Sequence, residues 1–208
     1  MSTQLGAPNG RSPADRRKSA ELLDGIVEIV QREGLAGFSL DRLAAELSTS
    51  SRMLVYYFGS KDELLGHIVY ALRDATVREL DSDPPATAAI AIDRWWAYYS
   101  ANLNDMQFFF HLASRRFGDP DSFQEFASTA VDLWAAFFLH GLRNEGRPEA
   151  QAAPLARLIL AALRGLMVDY LITGQKAEIE SALAQLKSFV SQPTTRPAAA
   201  QSRRRKKA

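Results

Sequence analysis

The segment Ser39–Leu65, SLDRLAAELSTSSRMLVYYFGSKDELL, contains two short helical patterns separated by a turn and followed at once by a third helix. Ser39 is of a type that caps helix N-termini, and the leucines and alanines after it form one apolar stripe. The hydroxyl-rich run 48–50 interrupts that stripe before the second helix. Ser60 and Glu63 then form a capping box, which is typical of a helix start. The pattern predicts a helix-turn-helix unit with a further helix attached.

The second helix, about Ser51 to Phe58, has two faces of different character. Leu54 and Phe58 lie four residues apart and are predicted to pack against the preceding helix. On the opposite face, Arg52 is suited to a guanine edge. Hydroxyls donate to phosphate or base, and a helix N-terminus with a lysine suits an anion. The candidate DNA contacts from this reasoning are Thr49, Ser50, Ser51, Arg52, Tyr57 and Lys61. The alternative is a helical bundle whose third helix merely ends in core aromatics.

The composition restricts the class of protein. Hydrophobic residues make up 47% of the 208-residue chain, but no apolar run approaches the length of a membrane span. The polar N-terminus has no apolar export signal. The absence of cysteine excludes disulfides and thiolate chemistry and favours a cytoplasmic protein, and three histidines offer little for a zinc site. We therefore expect a cytoplasmic protein with no membrane partner, no metal and no cofactor.

The charge is distributed unevenly along the chain. Residues 1–61 have a net charge of +1, residues 62–191 a net charge of −6, and residues 192–208 a net charge of +6. An acidic body repels DNA, so contacts with nucleic acid are expected from the two ends. The tail PTTRPAAAQSRRRKKA has no apolar face; it either adds salt-dependent attraction to phosphates or is simply solvated.

Helical periodicity continues through the whole chain, and no segment shows sustained strand alternation. The predicted fold is all-α with about nine helices. We predict a disordered N-terminus (1–12), a helix-turn-helix domain (13–62), a second helical domain (63–191) linked through helix 62–80, and a disordered basic tail (192–208). After that linking helix, further helices are predicted near 87–103, 105–116, 121–144, 149–172 and 176–190.

The sequence LDRLAAELSTSSRMLVYYFGSKDELL resembles the DNA-binding domain of TetR-type bacterial transcriptional regulators. Their pattern is an alanine-rich second helix, a Gly-Val-Ser turn, a Leu-Tyr-x-Tyr-Phe recognition helix and then x-Ser-Lys-x-x-Leu. The matching positions are Leu54, Tyr57, Phe58, Ser60, Lys61 and Leu64. Three positions depart, because Ser48 replaces the turn glycine, Thr49 the valine and Val55 the first tyrosine. The resemblance covers residues 14–80 strongly and the rest in layout, with LRGLMVDYLITG (163–174) similar to the penultimate helix of many such regulators.

The resemblance implies particular contacts with double-stranded DNA. Recognition-helix contacts are expected from Ser51, Arg52, Met53 and Tyr56. Phosphate contacts are expected from Tyr57 and Lys61, with Ser39 as a further candidate. Met53 often corresponds to threonine in the family, so an apolar contact, for instance with a thymine methyl group, is expected there. Val55 cannot form the hydrogen bond of its tyrosine counterpart.

The central helices are rich in aromatic residues. Phe108, Phe109, Phe110 and His111 are consecutive, and four successive helical positions cannot all face one core. Either this is ordinary core packing, with His111 and His140 structural, or the aromatic residues line a pocket for a small apolar or amphipathic effector. The resemblance favours a pocket, and the candidate lining residues are Tyr99, Phe109, Phe110, Trp134, Phe138, Met167 and Tyr170.

The last two predicted helices have apolar stripes that fit either an intramolecular hairpin or an interface between two copies. One short recognition helix contacts few bases, so two-fold pairing favours a homodimer on a palindromic operator. The resemblance implies a four-helix interface. The candidate interface residues are Leu155, Leu158, Ile159, Ala162, Leu166, Ile179, Leu183 and Leu186.

The expected function is therefore a homodimeric, ligand-responsive transcriptional regulator, with repression favoured over activation. The alternative is a DNA-binding regulator that is controlled by a protein partner or is not ligand-controlled. An enzyme is not expected, because no Ser/His/Asp arrangement, metal cluster, phosphate loop or pair of carboxylates in an apolar setting is visible in the sequence.

Overall fold

The structure is a computed structural model that describes residues 12–34, 38–119 and 131–192, with the backbone alone for 73–81. Over these residues the chain forms nine α-helices and no β-strand, which confirms the all-α prediction. The helices are α1 (Pro13–Glu33), α2 (Leu40–Glu46), α3 (Ser51–Phe58), α4 (Lys61–Ser82), α5 (Ala88–Ala101), α6 (Leu103–Gly118), α7 (Asp132–Asn144), α8 (Glu149–Thr173) and α9 (Lys176–Ser191).

The first four helices begin where hydroxyl side chains satisfy their free backbone N–H groups. Ser39 accepts a hydrogen bond from the N–H of Arg42, and Ser50 accepts one from the N–H of Met53, both at 3.2 Å. The predicted capping box of α4 is present, with Ser60 and Glu63 bonding each other's backbone N–H. These contacts fix the helix starts because each removes an unpaired donor.

The turn between α2 and α3 contains a strained residue. Ser48 has φ 50°, which makes it the one non-glycine residue with positive φ in the described chain. This is the position where the resembled family has glycine, which adopts that backbone conformation without steric cost. The neighbouring Thr49 donates its N–H to the carbonyl of Ala44 at 2.9 Å, which closes the turn.

The chain divides into two compact units. The first contains the described parts of 1–84 and 95–134. Its core includes residues of α1, α2, α3 and α4 together with Phe108 and Leu112 of α6, all buried. Leu54 and Phe58 of α3 belong to this core, and Leu47 packs against it. Helix α6 therefore contributes to the same core as the helix-turn-helix.

The second unit contains 85–94 and the described part of 135–208. Helices α8 and α9 form its hairpin, joined at Gly174, which is left-handed at φ 68° and ends α8. Lys187 of α9 pairs with Asp93 of α5 at 2.6 Å. Gly141 of α7 allows close approach to α5, since a Cβ atom there would lie 2.6 Å from the backbone carbon of Thr87.

The helix boundaries differ in places from the sequence-based ones. Helix α4 runs from Lys61 to Ser82, whereas the linking helix was predicted over 62–80. The predicted helix 121–144 is described from Asp132 onward, and its first ten residues lie outside the described part of the chain. None of the helices in the described ranges has the length and hydropathy needed to span a membrane.

Candidate DNA-binding surface

Helix α3 presents one face to the core and one to solvent. Leu54 is fully buried and Phe58 is 5% exposed, whereas Val55 and Tyr56 are 46% and 52% exposed. Arg52 and Met53 are also exposed, so three of the four residues expected to contact bases, Arg52, Met53 and Tyr56, lie on the solvent side of α3, whereas Ser51 is half-buried. This is the arrangement that a recognition helix needs, because the core anchors it while its outer side chains face solvent and can enter a groove.

Arg52 is the available cation of this surface. It forms no ion pair or hydrogen bond with the residues that the structure describes, whereas Arg42 of α2 pairs with Glu33 and Glu46. Arg32 hydrogen-bonds to Glu33 at 2.7 Å, and this bond, reinforced by Arg42, holds the pKa of Glu33 below its ordinary value. Arg42 and Arg32 are thus already engaged with acids, and Arg52 can meet a guanine edge without breaking a contact.

The hydroxyl groups near the turn have mixed roles. The oxygens of Ser39 and Ser50 accept capping bonds, but each hydroxyl keeps a hydrogen that it can donate to a phosphate. Ser51, in contrast, donates its hydroxyl hydrogen to the carboxylate of Asp41 on α2. Thr49 is half-buried. Sequence reasoning missed Asp41, because only the folded turn brings these residues, ten positions apart, together.

Tyr57 and Lys61, expected to contact phosphates, are both in contact with the protein. Tyr57 is only 9% exposed, with its ring edge-to-face against Tyr56 at 5.1 Å. The exposed Lys61 donates its Nζ hydrogen to the carbonyl oxygen of Phe38 at 3.0 Å and lies 5.2 Å from the centre of that ring. A phosphate contact by Lys61 therefore exchanges these contacts for a stronger charged one.

The predicted effector-pocket residues fall into both units. In the first unit, Tyr99, Phe109 and Phe110 are half-buried and Trp134 is 7% exposed, and the indole N–H of Trp134 donates to the hydroxyl of Tyr99 at 3.1 Å. In the second unit, Tyr170 is half-buried but Phe138 and Met167 are fully buried. For those last two, the structure favours the alternative interpretation as core residues. His111 and His140 are exposed.

The predicted interface residues require a correction. Ile159, Ile179 and Leu183 are at most 6% exposed, so they belong to the core of the second unit and are not available to a second copy. Leu158 is 52% exposed, and the remaining predicted residues, Leu155, Ala162, Leu166 and Leu186, are half-buried. The exposed apolar side of α8 instead includes residues that sequence reasoning missed, Val168 and Ile172.

A capped recognition helix held on a helical core, with a free arginine on its outer face, defines a helix-turn-helix DNA-binding protein. Residues 22–68 match the family model described as "Bacterial regulatory proteins, tetR family". Residues 22–68 therefore form a TetR-type helix-turn-helix domain, the DNA-binding domain of bacterial transcriptional regulators.

Two curated transcriptional regulators are similar to this chain. The HTH-type transcriptional regulator BetI of Paraburkholderia xenovorans is 22% identical over 194 residues, which span 83% of this chain and 91% of that protein. The HTH-type transcriptional repressor NicS of Pseudomonas putida is 30% identical over 92 residues, or 41% of this chain and 43% of that protein. The similarity to NicS is thus confined to part of each chain.

Solved structures show the same fold. A TetR transcriptional regulator from Legionella pneumophila superposes with a TM-score of 0.65 at 18% identity, covering 88% of this chain and all of that one. FadR of Bacillus subtilis, solved in complex with stearoyl-CoA, has a TM-score of 0.61 at 15% identity, covering 84% of this chain and 99% of that one. At these identities the likeness concerns the fold alone.

Proposed function

We propose that the protein is a cytoplasmic, ligand-responsive repressor that binds a palindromic operator as a homodimer. Helix α3 is the recognition helix, Arg52, Met53 and Tyr56 contact bases, and Lys61 contacts a phosphate. The observation on which this rests is the exposed outer face of α3, where Arg52 has no partner among the described residues. Functionally, residues 13–62 serve as the DNA-binding domain and 63–191 as the effector-binding and dimerisation domain.

The exposed side of α8 supports the homodimer. Leu158, Val168 and Ile172 are 52%, 38% and 77% exposed, and the small residues Ala161 and Gly165 are exposed between them. These five positions are spaced three and four residues apart, so they form one stripe along the helix, as at a helix–helix interface. Phe189 of α9, at 54% exposure, adds apolar surface to the same unit.

Control by a small apolar or amphipathic effector is supported by relatives of the same fold. FadR was solved with stearoyl-CoA, and the multidrug binding protein EbrR, which has a TM-score of 0.61 to this chain, was solved with imidazole. In our proposal, an effector bound in the helical body displaces α4, which starts directly after the recognition helix. The distance between the two recognition helices of the dimer then no longer matches the spacing of the two operator half-sites. A coupling of about 1–3 kcal/mol corresponds to a several-fold to hundredfold loss of affinity.

The test is selection of random DNA duplexes on the purified protein, followed by sequencing. A palindromic motif with half-sites about one helical turn apart is the expected result. Enrichment limited to weak, salt-sensitive binding without a motif would reject sequence-specific binding. A motif that forms but resists release by every small molecule in a broad screen would instead favour control by a protein partner or no ligand control.

A further inference from the structure

Three aromatic rings pack together in the first unit. Trp95 and Tyr99 of α5 lie 4.7 Å apart between ring centres, and Trp134 of α7 lies 6.3 Å from Trp95 and 5.6 Å from Tyr99. Both contacts of Trp134 are edge-to-face. We call Trp95, Tyr99 and Trp134 the aromatic cluster. Tyr99 is half-buried, so part of its side chain reaches solvent beside the two buried tryptophans.

The cluster contains a buried hydrogen-bond donor without an acceptor. Trp95 is 1% exposed, and among the buried side-chain nitrogen and oxygen atoms of the described residues, its Nε1 alone has no hydrogen-bond partner. Trp134, in the same cluster, donates its indole N–H to the hydroxyl of Tyr99 at 3.1 Å. A buried N–H normally finds a partner, because burial otherwise forfeits its hydrogen bond with water. A hydrogen-bond acceptor from outside the cluster would therefore stabilise the unpaired N–H of Trp95.

We propose that the aromatic cluster is an effector subsite for a neutral molecule with a flat apolar body and a carbonyl oxygen, which accepts a hydrogen bond from Nε1 of Trp95. This inference rests on the proposed effector control and specifies the chemistry of the effector. The carbonyl oxygen satisfies the unpaired donor, and the apolar body inserts beside the half-buried ring of Tyr99.

The geometry favours an acceptor over a cation. A cation binds to the negative face of an aromatic ring. In an edge-to-face pair, the positive edge of one ring already covers a face of the other, and Trp134 makes two such pairs. The remaining unsatisfied group is an N–H, whose hydrogen is positive and repels a cation.

A neutral acceptor is favoured over a carboxylate for a related reason. The cluster offers ring carbons, indole N–H groups and the phenol hydroxyl of Tyr99, none of which carries a positive charge. A carboxylate buried there with one hydrogen bond would be an incompletely paired charge, which is costly in an apolar setting. A ketone, ester or amide oxygen needs only one donor.

The test follows the indole N–H signals of the intact protein by proton–nitrogen NMR. The chain has three tryptophans, so three indole signals are expected, and Trp95→Phe and Trp96→Phe assign them. Four probes are titrated: acetophenone, ethylbenzene, benzoate and phenyltrimethylammonium. Acetophenone and ethylbenzene have nearly the same shape, but only acetophenone has a carbonyl oxygen. They are therefore the matched pair.

The expected result is a saturable downfield shift of the Trp95 signal with acetophenone, with binding roughly two- to tenfold tighter than that of ethylbenzene. In Trp95→Phe, which keeps a ring but removes the donor, acetophenone should lose this advantage; in Trp96→Phe it should keep it. Equal binding of the pair, tighter binding of benzoate or phenyltrimethylammonium, or a Trp95 N–H that contacts only a bound water would each overturn the proposal.

The outcome is independent of DNA binding, so the two proposals fail separately. A protein that selects an operator but shows no acetophenone-dependent shift of Trp95 refutes the subsite alone. A protein that shows the shift but enriches no operator refutes the proposed repressor function alone. The NMR titration uses the native chain, and if Trp95→Phe folds poorly, Trp96→Phe together with Trp134→Phe assigns the Trp95 signal by elimination.

Discussion

Arg32, Arg42 and Arg52 have the same charge but differ in what they can still bind. The first two pair with Glu33 and Glu46, whereas Arg52 forms no ion pair or hydrogen bond with the described residues. The sequence indicated that Arg52 lies on the outer face of α3, because this follows from helical periodicity. It did not indicate the ion pair of Arg42 with Glu33, because that pair joins residues of two helices.

The contrast between base and phosphate contacts gives a first prediction. Arg52→Gln should weaken operator binding by about 1–3 kcal/mol and relax the preference at one base pair of each half-site. Lys61→Gln should weaken binding to all duplexes alike and reduce the salt dependence of binding. The measurement is a titration of operator and single-base variants at several salt concentrations.

Lys176→Gln is the matched control for both, because it removes one positive charge from an exposed residue of the second unit. It should bind as the unaltered protein does. If Arg52→Gln lowered affinity equally for every sequence, Arg52 would be a phosphate contact and the assignment of its role would fail.

The strained Ser48 gives a second prediction. A serine at φ 50° has a steric cost that glycine does not have, so Ser48→Gly should raise the free energy of unfolding by up to about 1 kcal/mol. Ser48→Ala keeps the Cβ atom and should give no such gain. Chemical denaturation of the three proteins measures this, and an equal gain for alanine would show that the hydroxyl, not the backbone, is responsible.

At the level of helices, the residues at which helices begin were more predictable from sequence than the sides of helices that face the core. The caps at Ser39 and Ser60 were predicted from sequence because a cap involves residues only three positions apart. Helix α8 is apolar on several sides, so periodicity could not distinguish its core face from its exposed face. Ile159 was consequently assigned to the interface and Val168 was missed, although the structure shows Ile159 fully buried and Val168 exposed.

Close packing of α7 against the start of α5 gives a third prediction. Gly141→Ala places a Cβ atom 2.6–2.7 Å from backbone atoms of Thr87 and Ala88, which cannot move away as a side-chain end can. We expect the free energy of unfolding to fall by about 1–3 kcal/mol. Gly66→Ala is the control, since a Cβ atom at this position inside α4 meets no atom within 4 Å and alanine should stabilise the helix by about 1 kcal/mol. If both substitutions changed the free energy of unfolding equally, the close approach of α7 to the start of α5 would be contradicted.

Helix α6 is attached to α1 by a polar contact that responds to pH. Asp105 accepts a hydrogen bond from the hydroxyl of Tyr98 at 3.1 Å and also interacts with Gln31 of α1. The neighbouring Asn104 donates to the backbone oxygen of Gln31 at 2.7 Å. Partial burial raises the pKa of Asp105 above its ordinary value of 3.8, although the bond from Tyr98 acts in the opposite direction.

This raised pKa gives a fourth prediction. An acid with a higher pKa in the folded state binds its proton more tightly there, so its contribution to stability falls as pH rises from 3.8 through the folded-state pKa. Asp105→Asn lacks this loss, so its stability relative to the unaltered protein should be greater near neutral pH than below the ordinary pKa of Asp105. Urea unfolding across that range measures the difference. A difference that does not vary with pH would contradict the prediction.

At the scale of the whole molecule, the charge distribution and the proposed pairing of two copies both determine how the protein binds DNA. Residues 62–191 have a net charge of −6, so they repel DNA, and binding depends on the small surface around α3. One such surface contacts few base pairs, and two copies joined through the second unit would present two. Specific binding and dimerisation should therefore be lost together.

The exposed stripe of α8 gives the final prediction. Ile172→Lys puts a charge on the most exposed apolar residue of the stripe, where burial against a second copy would leave that charge unpaired. The variant should sediment as a monomer and bind the palindromic operator orders of magnitude more weakly, but still bind a single half-site as the unaltered chain does.

Glu180→Lys also introduces an exposed lysine, but Glu180 lies nine residues before Phe189, about half a turn away around α9. Glu180→Lys should remain dimeric. A dimer that persists in Ile172→Lys would mean that two copies meet through another face, and full operator affinity in a monomeric variant would mean that pairing is not required for recognition.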